Sequence, residues 1–282
     1  MDKHVLDQAE GLRRLLARDA PRVVALVGGD EQAGTSSAAI NLAAALARQG
    51  KDVLVIDEQC DAKSLVEAVG ADRARTLADV VAGRASIDSI SAQFDERVRV
   101  IASPLGTLAG ACASKTLASL NCGVDVVLID AKVDDEGALS PIAMQAHDVV
   151  VVMRANAQSI TGAYACVKRL HFAHAIHQFR VLINGVTSAS DAYSVYQNLT
   201  AVGSRYLAVS FSPAGAVSLD VRLARAALLN RTVVEAFPAA PATLDFRRIA
   251  VDLLHWPWRA GNQTPARGTP SRAAHAPLAS TV

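Results

Sequence analysis

The 282-residue sequence predicts an α/β fold, a doubly wound and mostly parallel sheet with helices on both faces. Short apolar runs alternate with segments of helical periodicity along most of the chain. Hydrophobic residues make up 51% of the sequence and aromatic residues only 4%, so Ala, Val and Leu must fill the core. That composition suits strands buried on both faces beneath Ala- and Leu-rich helices. The length is also sufficient for one large, well-buried core.

Taken in order, the first strand candidate is Val23–Val27, followed by a Gly-rich turn from Gly28 to Gly34. A helix comes next, with Ile40, Leu42, Ala43 and Leu46 at roughly helical spacing and Gly50 closing it. Further strands are expected at Val53–Ile56, Val98–Ile101, Val124–Ile129, Val149–Met153, Val181–Ile183 and Tyr206–Phe211. Helices are expected over Ser159–Phe172 and Asp191–Val202, with a shorter one over Ser140–Ala146, where Ser140 is the N-cap and Pro141 the first helical residue. The last helix places Phe246, Ile249, Ala250 and Leu253 on one face, the pattern of a helix packed on its own domain. In such a sheet the functional crevice lies beyond the carboxyl ends of the strands, so the loops beginning at Gly28, Asp57, Asp130 and Asn184 should converge.

The chain divides into residues 1–20, an α/β body over 21–256, and a tail over 257–282. In the first segment Leu6, Ala9, Leu12, Leu15 and Leu16 share a face opposite Asp7, Glu10, Arg13 and Arg14. A lone helix of that length is marginal in water and is expected to order on a partner or on the body itself. The tail, rich in Pro, Ala, Gly, Thr and Ser, has the composition of a disordered segment.

A net charge of +1 supplies no basic field for nucleic acid. No apolar run reaches the ~18–20 residues of a membrane span, and the N-terminus lacks a signal-peptide core, so a cytoplasmic protein is expected. Cys60, Cys112, Cys122 and Cys166 show no Cys-x-x-Cys spacing and read as reduced thiols. His171, His174 and His177 recur three apart, but no Asp, Glu or Cys nearby completes a ligand set, so they read as a polar helix face and no metal site is expected.

Strand, Gly-rich turn and helix is the context of a phosphate-binding loop, whose N–H groups hold phosphate oxygens at a helix N-terminus. Several stretches beyond it carry a resemblance. They are Asn41–Ala47 through Gly50-Lys51, Thr76–Gly83, Ser159–Ala165 and Ile183–Val186. On these the body resembles the MinD/ParA family of P-loop ATPases. The opening Asp7-Gln8-Ala9-Glu10-Gly11-Leu12-Arg13 is similar to the Asp-Gln-Ala-x-x-Leu-Arg segment of FlhG-type flagellar-number regulators, a branch of that family. The resemblance implies a P-loop NTPase type of sheet. It also implies that Asp7, Gln8, Ala9, Leu12 and Arg13 dock on an FlhF-type, signal-recognition-like GTPase, with Gln8 delivered to the GTPase site. A Gln that orients the attacking water has precedent in other GTPases. Homodimerisation, flagellar basal-body components as further partners, and recruitment to the flagellated pole are implied in the same way.

Gly34, Thr35, Ser36, Ser37, Asp57, Asp130 and Asn184 fall at the family's nucleotide positions, with Asn184 where an Asn contacts adenine. ATP and Mg2+ are therefore implied by resemblance only. The family loop reads Lys-Gly-Gly-x-Gly-Lys-Thr, whereas this chain reads Asp30-Glu31-Gln32-Ala33-Gly34-Thr35-Ser36. Both lysines are gone and two carboxylates are gained, each worth about 4 kcal/mol against a phosphate charge ~4 Å away at an effective dielectric near 20. The second Asp of the family's Asp-x-Asp motif is Gln59 here. These departures predict a vestigial nucleotide site with no catalytic residues, and an adaptor that does not hydrolyse ATP. An active ATP-dependent switch, serving flagella or another cargo such as cellulose secretion, would need a replacement cation, for which Lys132 and Arg154 are the candidates. The His255-Trp256-Pro257-Trp258-Arg259 end lacks a basic stripe, so regulated membrane insertion is not expected.

Overall fold

The computed structural model describes residues 21–59, 65–68, 75–105 and 123–257. The amphipathic segment 1–20, the tail beyond Pro257, and Cys60, Cys112 and Cys122 lie outside the described residues.

The sheet contains β1 (Arg22–Gly28), β2 (Val53–Asp57), β3 (Ala92–Asp95), β4 (Val98–Ala102), β5 (Val126–Asp130), β6 (Asp148–Arg154), β7 (Gln178–Val186) and β8 (Ser210–Ser218). Their order is β3-β4-β2-β5-β1-β6-β7-β8. Every neighbouring pair is parallel except β3 with β4. The short antiparallel edge strand β3 was not foreseen in the sequence.

The helices are α1 (Thr35–Ala47), α2 (Leu65–Ala68), α3 (Leu77–Val81), α4 (Ile87–Ile90), α5 (Ala157–His174), α6 (Ala189–Leu207), α7 (Val221–Leu228), α8 (Val233–Ala236) and α9 (Pro241–His255). No described helix is long and apolar enough to cross a membrane.

Alternation along β1 divides the core. Val23, Ala25 and Val27 join the cluster that includes Ala163, Val167 and Leu170 of α5 and Leu199 of α6. Val24 and Leu26 point the other way, into the cluster built on α1 and α9. The α9 residues Phe246, Ile249, Ala250 and Leu253 are all buried there, as their spacing predicted. Each of the three large ones contributes roughly 1.5–3 kcal/mol by leaving water.

Two local expectations are corrected. Residues Tyr206 and Leu207 complete α6, and the strand expected at Tyr206–Phe211 instead runs over Ser210–Ser218. Its Pro213 and Gly215 disguised it. On the edge of a sheet Pro costs no ladder bond, and the register slips opposite Val181 and Leu182, at Pro213 and Gly215. The helix expected over Ser140–Ala146 is only a 3-10 turn at Ala143–Gln145, although the Ser140 hydroxyl does accept from Ala143 N–H at 3.0 Å.

The histidines are structural. His174 Nε2 accepts from Leu139 N–H at 2.9 Å, and the His171 ring packs edge-on to His177 at 4.8 Å. Cys166 is buried, which pushes its thiol up to about 11 and keeps it unreactive.

The end of the sheet opposite the Gly-rich turn is held by a buried cluster. Asp148 accepts from Arg22 at 2.8 Å and from Arg180 at 2.7 Å. Trp256 lies 4.0 Å from the Arg180 guanidinium, and its carbonyl accepts from Arg22 at 2.8 Å. The beginning of β1 and the end of α9 are thereby fastened together.

Candidate functional site

The turn after β1 is fixed by its own side chains and by α5. Asp30 Oδ1 accepts from Gln32 N–H at 2.8 Å, and Asp30 Oδ2 accepts from the Ser159 hydroxyl at 2.7 Å. Ser159 belongs to the first turn of α5, whose N-cap Asn156 accepts from Ser159 N–H at 2.9 Å. Next to this tie, Gly29 and Gly162 meet backbone to backbone. A Cβ on Gly29 would stand 2.1 Å from the Gly162 carbonyl carbon, and one on Gly162 would stand 2.9 Å from the Gly29 oxygen.

Gly29→Ala therefore forces the turn and α5 apart. The cost expected is at least about 3 kcal/mol, the upper end for overpacking, because backbone rather than a flexible side chain must yield. Thermal unfolding measures it, and a melting point within a degree of the parent would overturn the close contact.

Gly34 ends the turn with φ at 83°, a left-handed conformation that glycine adopts freely, and caps α1. Asn184 Nδ2 donates to Ala33 carbonyl at 3.3 Å, from the side of the turn. The Asn184 amide is thus committed to the loop. No lysine follows Gly34. Thr35 is buried, with its hydroxyl folded back against Gly28. Ala38 N–H donates to Gly34 carbonyl at 2.9 Å, and among the described residues the N–H groups of Gly34, Thr35, Ser36 and Ser37 have no acceptor. They form an anion-receptive helix N-terminus.

Beneath them lie three carboxyl groups at the ends of adjacent strands. Asp57 and Asp130 are register partners on β2 and β5, and both are fully buried. Asp57 accepts from Gln59 N–H at 3.0 Å and Val66 N–H at 2.9 Å. Glu58 is also buried; it accepts from the Ser140 hydroxyl and from Lys132 N–H. Burial pushes Glu58 up to about 7, against the pull of those two hydrogen bonds, with Asp57 adding repulsion. Asp130 is likewise pushed up to about 7, first by burial and then by repulsion from Asp57 and Glu58. The Ser36 hydroxyl and the Gln59 amide face it, but neither Asp130 oxygen has a partner with hydrogen-bond geometry among the described residues.

The Gly-rich turn borders an open cavity of about 860 Å³, whose lining does not include Asp57, Glu58 or Asp130. Its lining comprises residues of the turn between Gly28 and Ser37, Gln59, Ala131, Lys132, Val133 and Asp135 after β5, and Arg169 of α5. The loops after β1, β2 and β5 thus converge as the topology predicted, while Asn184 reaches only the back of the turn. Of the proposed replacement cations, Lys132 lines the cavity, and Arg154 is exposed on β6 away from the lining. Arg169 was missed. Its signal was present, since it lies seven residues, two helical turns, after Gly162 and so shares the loop-facing side of α5. The partner-binding candidates Asp7, Gln8, Ala9, Leu12 and Arg13 lie outside the described residues.

A Mg2+-bearing phosphate ligand, as the resemblance implies, fits part of this donor set. The unpartnered Asp130 carboxyl beside the Ser36 hydroxyl suits a hard cation, and the free N–H groups suit phosphate oxygens. The cationic side chain expected directly after Gly34 is missing.

No family model matches the chain. The antiactivator FleN of Pseudomonas aeruginosa is 29% identical over 244 residues, covering 84% of this chain and 87% of that protein. The MinD cell division protein of Aquifex aeolicus superimposes with a TM-score of 0.65 at 18% identity, covering 84% of this chain and 98% of that one. A ParA family ATPase from Chlorobium tepidum gives a TM-score of 0.61 at 18% identity, covering 82% and 99%. The fold is accordingly the MinD/ParA type of P-loop NTPase, and the sequence resembles FleN along most of its length.

Proposed function

We propose that this chain is an FlhG-like regulator of flagellar number and placement, acting through an FlhF-type GTPase as an adaptor that does not hydrolyse ATP. The similarity to an antiactivator over 84% of the chain carries the regulatory part of this reading. An antiactivator restrains another protein, so a protein partner is the expected target. The chemistry of the turn supports the adaptor part. Thr35 stands where a phosphate-binding Lys would be, and Gln59, which donates to the Ala131 carbonyl at 3.2 Å, stands where a carboxylate would position water. Asp30, held by Ser159, makes the turn a fixed extension of α5 rather than an arm free to reach a second subunit.

The test is stimulation of GTP hydrolysis by a purified FlhF-type GTPase on addition of the full chain. Gln8→Ala should lower that stimulation at least tenfold while leaving the melting point unchanged. Equal stimulation by the variant would refute the role given to Gln8.

One observation favours a second reading, an ATP-driven switch: Ser36, Asp130 and the free N–H groups remain placed for a metal and phosphates. That reading requires ATP hydrolysis above background and its loss on Asp130→Ala. The adaptor reading requires none.

A further inference from the structure

The outer face of α9 carries a stripe that no described residue covers. Leu244, Arg248, Val251 and His255 follow one another at i, i+4, i+7 and i+11, the spacing of a single line on a helix. All four are exposed, Leu244 at 52% and Val251 at 45%, whereas Phe246, Ile249 and Leu253 on the opposite face are buried. The helix spans the height of the sheet. Ala242 N–H, in its first turn, donates to Asp220 beyond the carboxyl end of β8, and Trp256 stands beside Arg22 at the amino end of β1.

The two terminal segments both begin at the Trp256 end of this stripe. Arg22 donates to the carbonyls of Trp256 at 2.8 Å and Pro257 at 3.3 Å, so residues 1–20 precede, and residues 258–282 follow, the same point. Only the first segment has a matching pattern. Val5, Ala9, Leu12 and Leu16 repeat the i, i+4, i+7, i+11 spacing, which gives the two lines the same length of about 16 Å. In the later segment Pro265, Pro270 and Pro277 interrupt any such line. That segment also carries Arg259, Arg267 and Arg272 with no acidic residue, and Arg247 and Arg248 of α9 repel it. Residues 1–20 balance Asp2, Asp7, Glu10 and Asp19 against Lys3, Arg13, Arg14 and Arg18.

We propose that residues 5–16 dock as a helix along the outer face of α9, in the register that sets Val5 on Leu244, Ala9 on Arg248, Leu12 on Val251 and Leu16 on His255. The direction follows from Arg22, which puts residue 16 at the Trp256 end and makes the two helices parallel. Side-chain sizes agree along the line: Ala9 leaves room for the methylene stem of Arg248, and Leu12 covers Val251. Residues 17–21 form the link. Five residues reach up to about 17 Å, ample for the roughly 8–10 Å between packed helix axes. So short a tether supplies an effective concentration on the order of millimolar, so a contact too weak to hold a free peptide suffices. The larger apolar patch on α7, where Val221 and Leu228 are 83% and 86% exposed, follows Asp220 at the opposite end of the sheet. Docking on α9 makes that helix a competitor of the GTPase for Leu12, a consequence that rests on the adaptor reading; the docking itself does not.

Trypsin digestion of the full chain, with cleavage after Arg13 and Arg14 followed by mass spectrometry, tests the docking. Leu244→Asp combined with Val251→Asp should speed that cleavage at least tenfold, and Leu12→Ser should do the same from the other side of the contact. Both α9 positions are exposed, and circular dichroism melts establish that each variant is folded at the digestion temperature. Cleavage after Arg267 is the internal standard and should keep the parent's rate. Cleavage of the parent after Arg13 as fast as in a synthetic peptide of residues 1–20, or at an unchanged rate in the double variant, would overturn the proposal. Faster cleavage after Arg267 in the double variant would overturn it by making the later segment the occupant. Equal acceleration by Leu228→Asp would move the site to α7, and protection that grows with protein concentration would place the segment on a second copy; either result sinks the docking described. The digestions contain no GTPase, so their outcome is independent of the Gln8→Ala experiment.

Discussion

Between pH 5 and pH 8.5 the folded chain should lose about 2–3 kcal/mol of stability through Asp130 alone, and Asp130→Asn should remove that loss. An unfolded Asp releases its proton near 3.8, whereas burial holds the Asp130 proton to about 7. Between those values the folded state binds the additional proton. The stabilising contribution is therefore complete below the unfolded value and disappears as pH rises through about 7. Glu58, raised from 4.5 to about 7, acts in the same direction. The two groups repel each other, so their titrations are coupled and their effects sum to less than two independent shifts. For a domain of this size the Asp130 share corresponds to roughly 5–10 °C in melting temperature. Thermal unfolding across that pH range, for the parent and for Asp130→Asn, measures it. A parent melting point that rises with pH would contradict the buried, unpartnered environment.

That penalty is informative about function. A buried carboxyl that destabilises the fold at neutral pH, beside a hydroxyl, is a group whose cost a bound cation would relieve. Stability alone would favour an amide or an apolar side chain at position 130.

Much of the architecture was legible because it depends on patterns that survive local noise. The runs Val23–Val27, Val53–Ile56 and Val149–Met153 are too apolar and too short to be anything but strands buried on both faces, and the helix over Thr35–Ala47 followed from Leu42 and Leu46 beside a glycine turn. The strand Ser210–Ser218 was hidden because its bulge and its edge position permit Pro213 and Gly215, which elsewhere signal a turn. The site was legible where one strand end supplies one residue, as with Asp57 and Asp130. It was not legible where contact depends on tertiary packing. Asp30 reads in sequence as a charge aimed at a ligand, and only the approach of α5 through Gly29 and Gly162 gives it Ser159 as a partner. Arg169 required the same helix placement. Glu58 carried no signal in the sequence, and only the fold shows that Ser140 and the Lys132 backbone enclose it.

Asp148→Ala should cost about 3–5 kcal/mol, the largest loss expected from any single side chain outside the loop, because it removes the carboxylate that two buried guanidiniums share. The side chains of Arg22 and Arg180 are 4% and 7% exposed, so water cannot replace the lost oxygen atoms without opening the end of the sheet. Melting should fall by roughly 10 °C, with Asp148→Asn intermediate because its amide oxygen can still accept from one arginine. The seven residues of β1 separate this cluster from Gly28 by about 20 Å. At that distance effects on the two ends should add, so the stability losses of Asp148→Ala and Gly29→Ala should sum in the double variant. The cluster's consequence for function lies in the termini. Arg22 begins β1 and clasps the carbonyls of Trp256 and Pro257, so the chain enters and leaves the body at one place, far from the cavity.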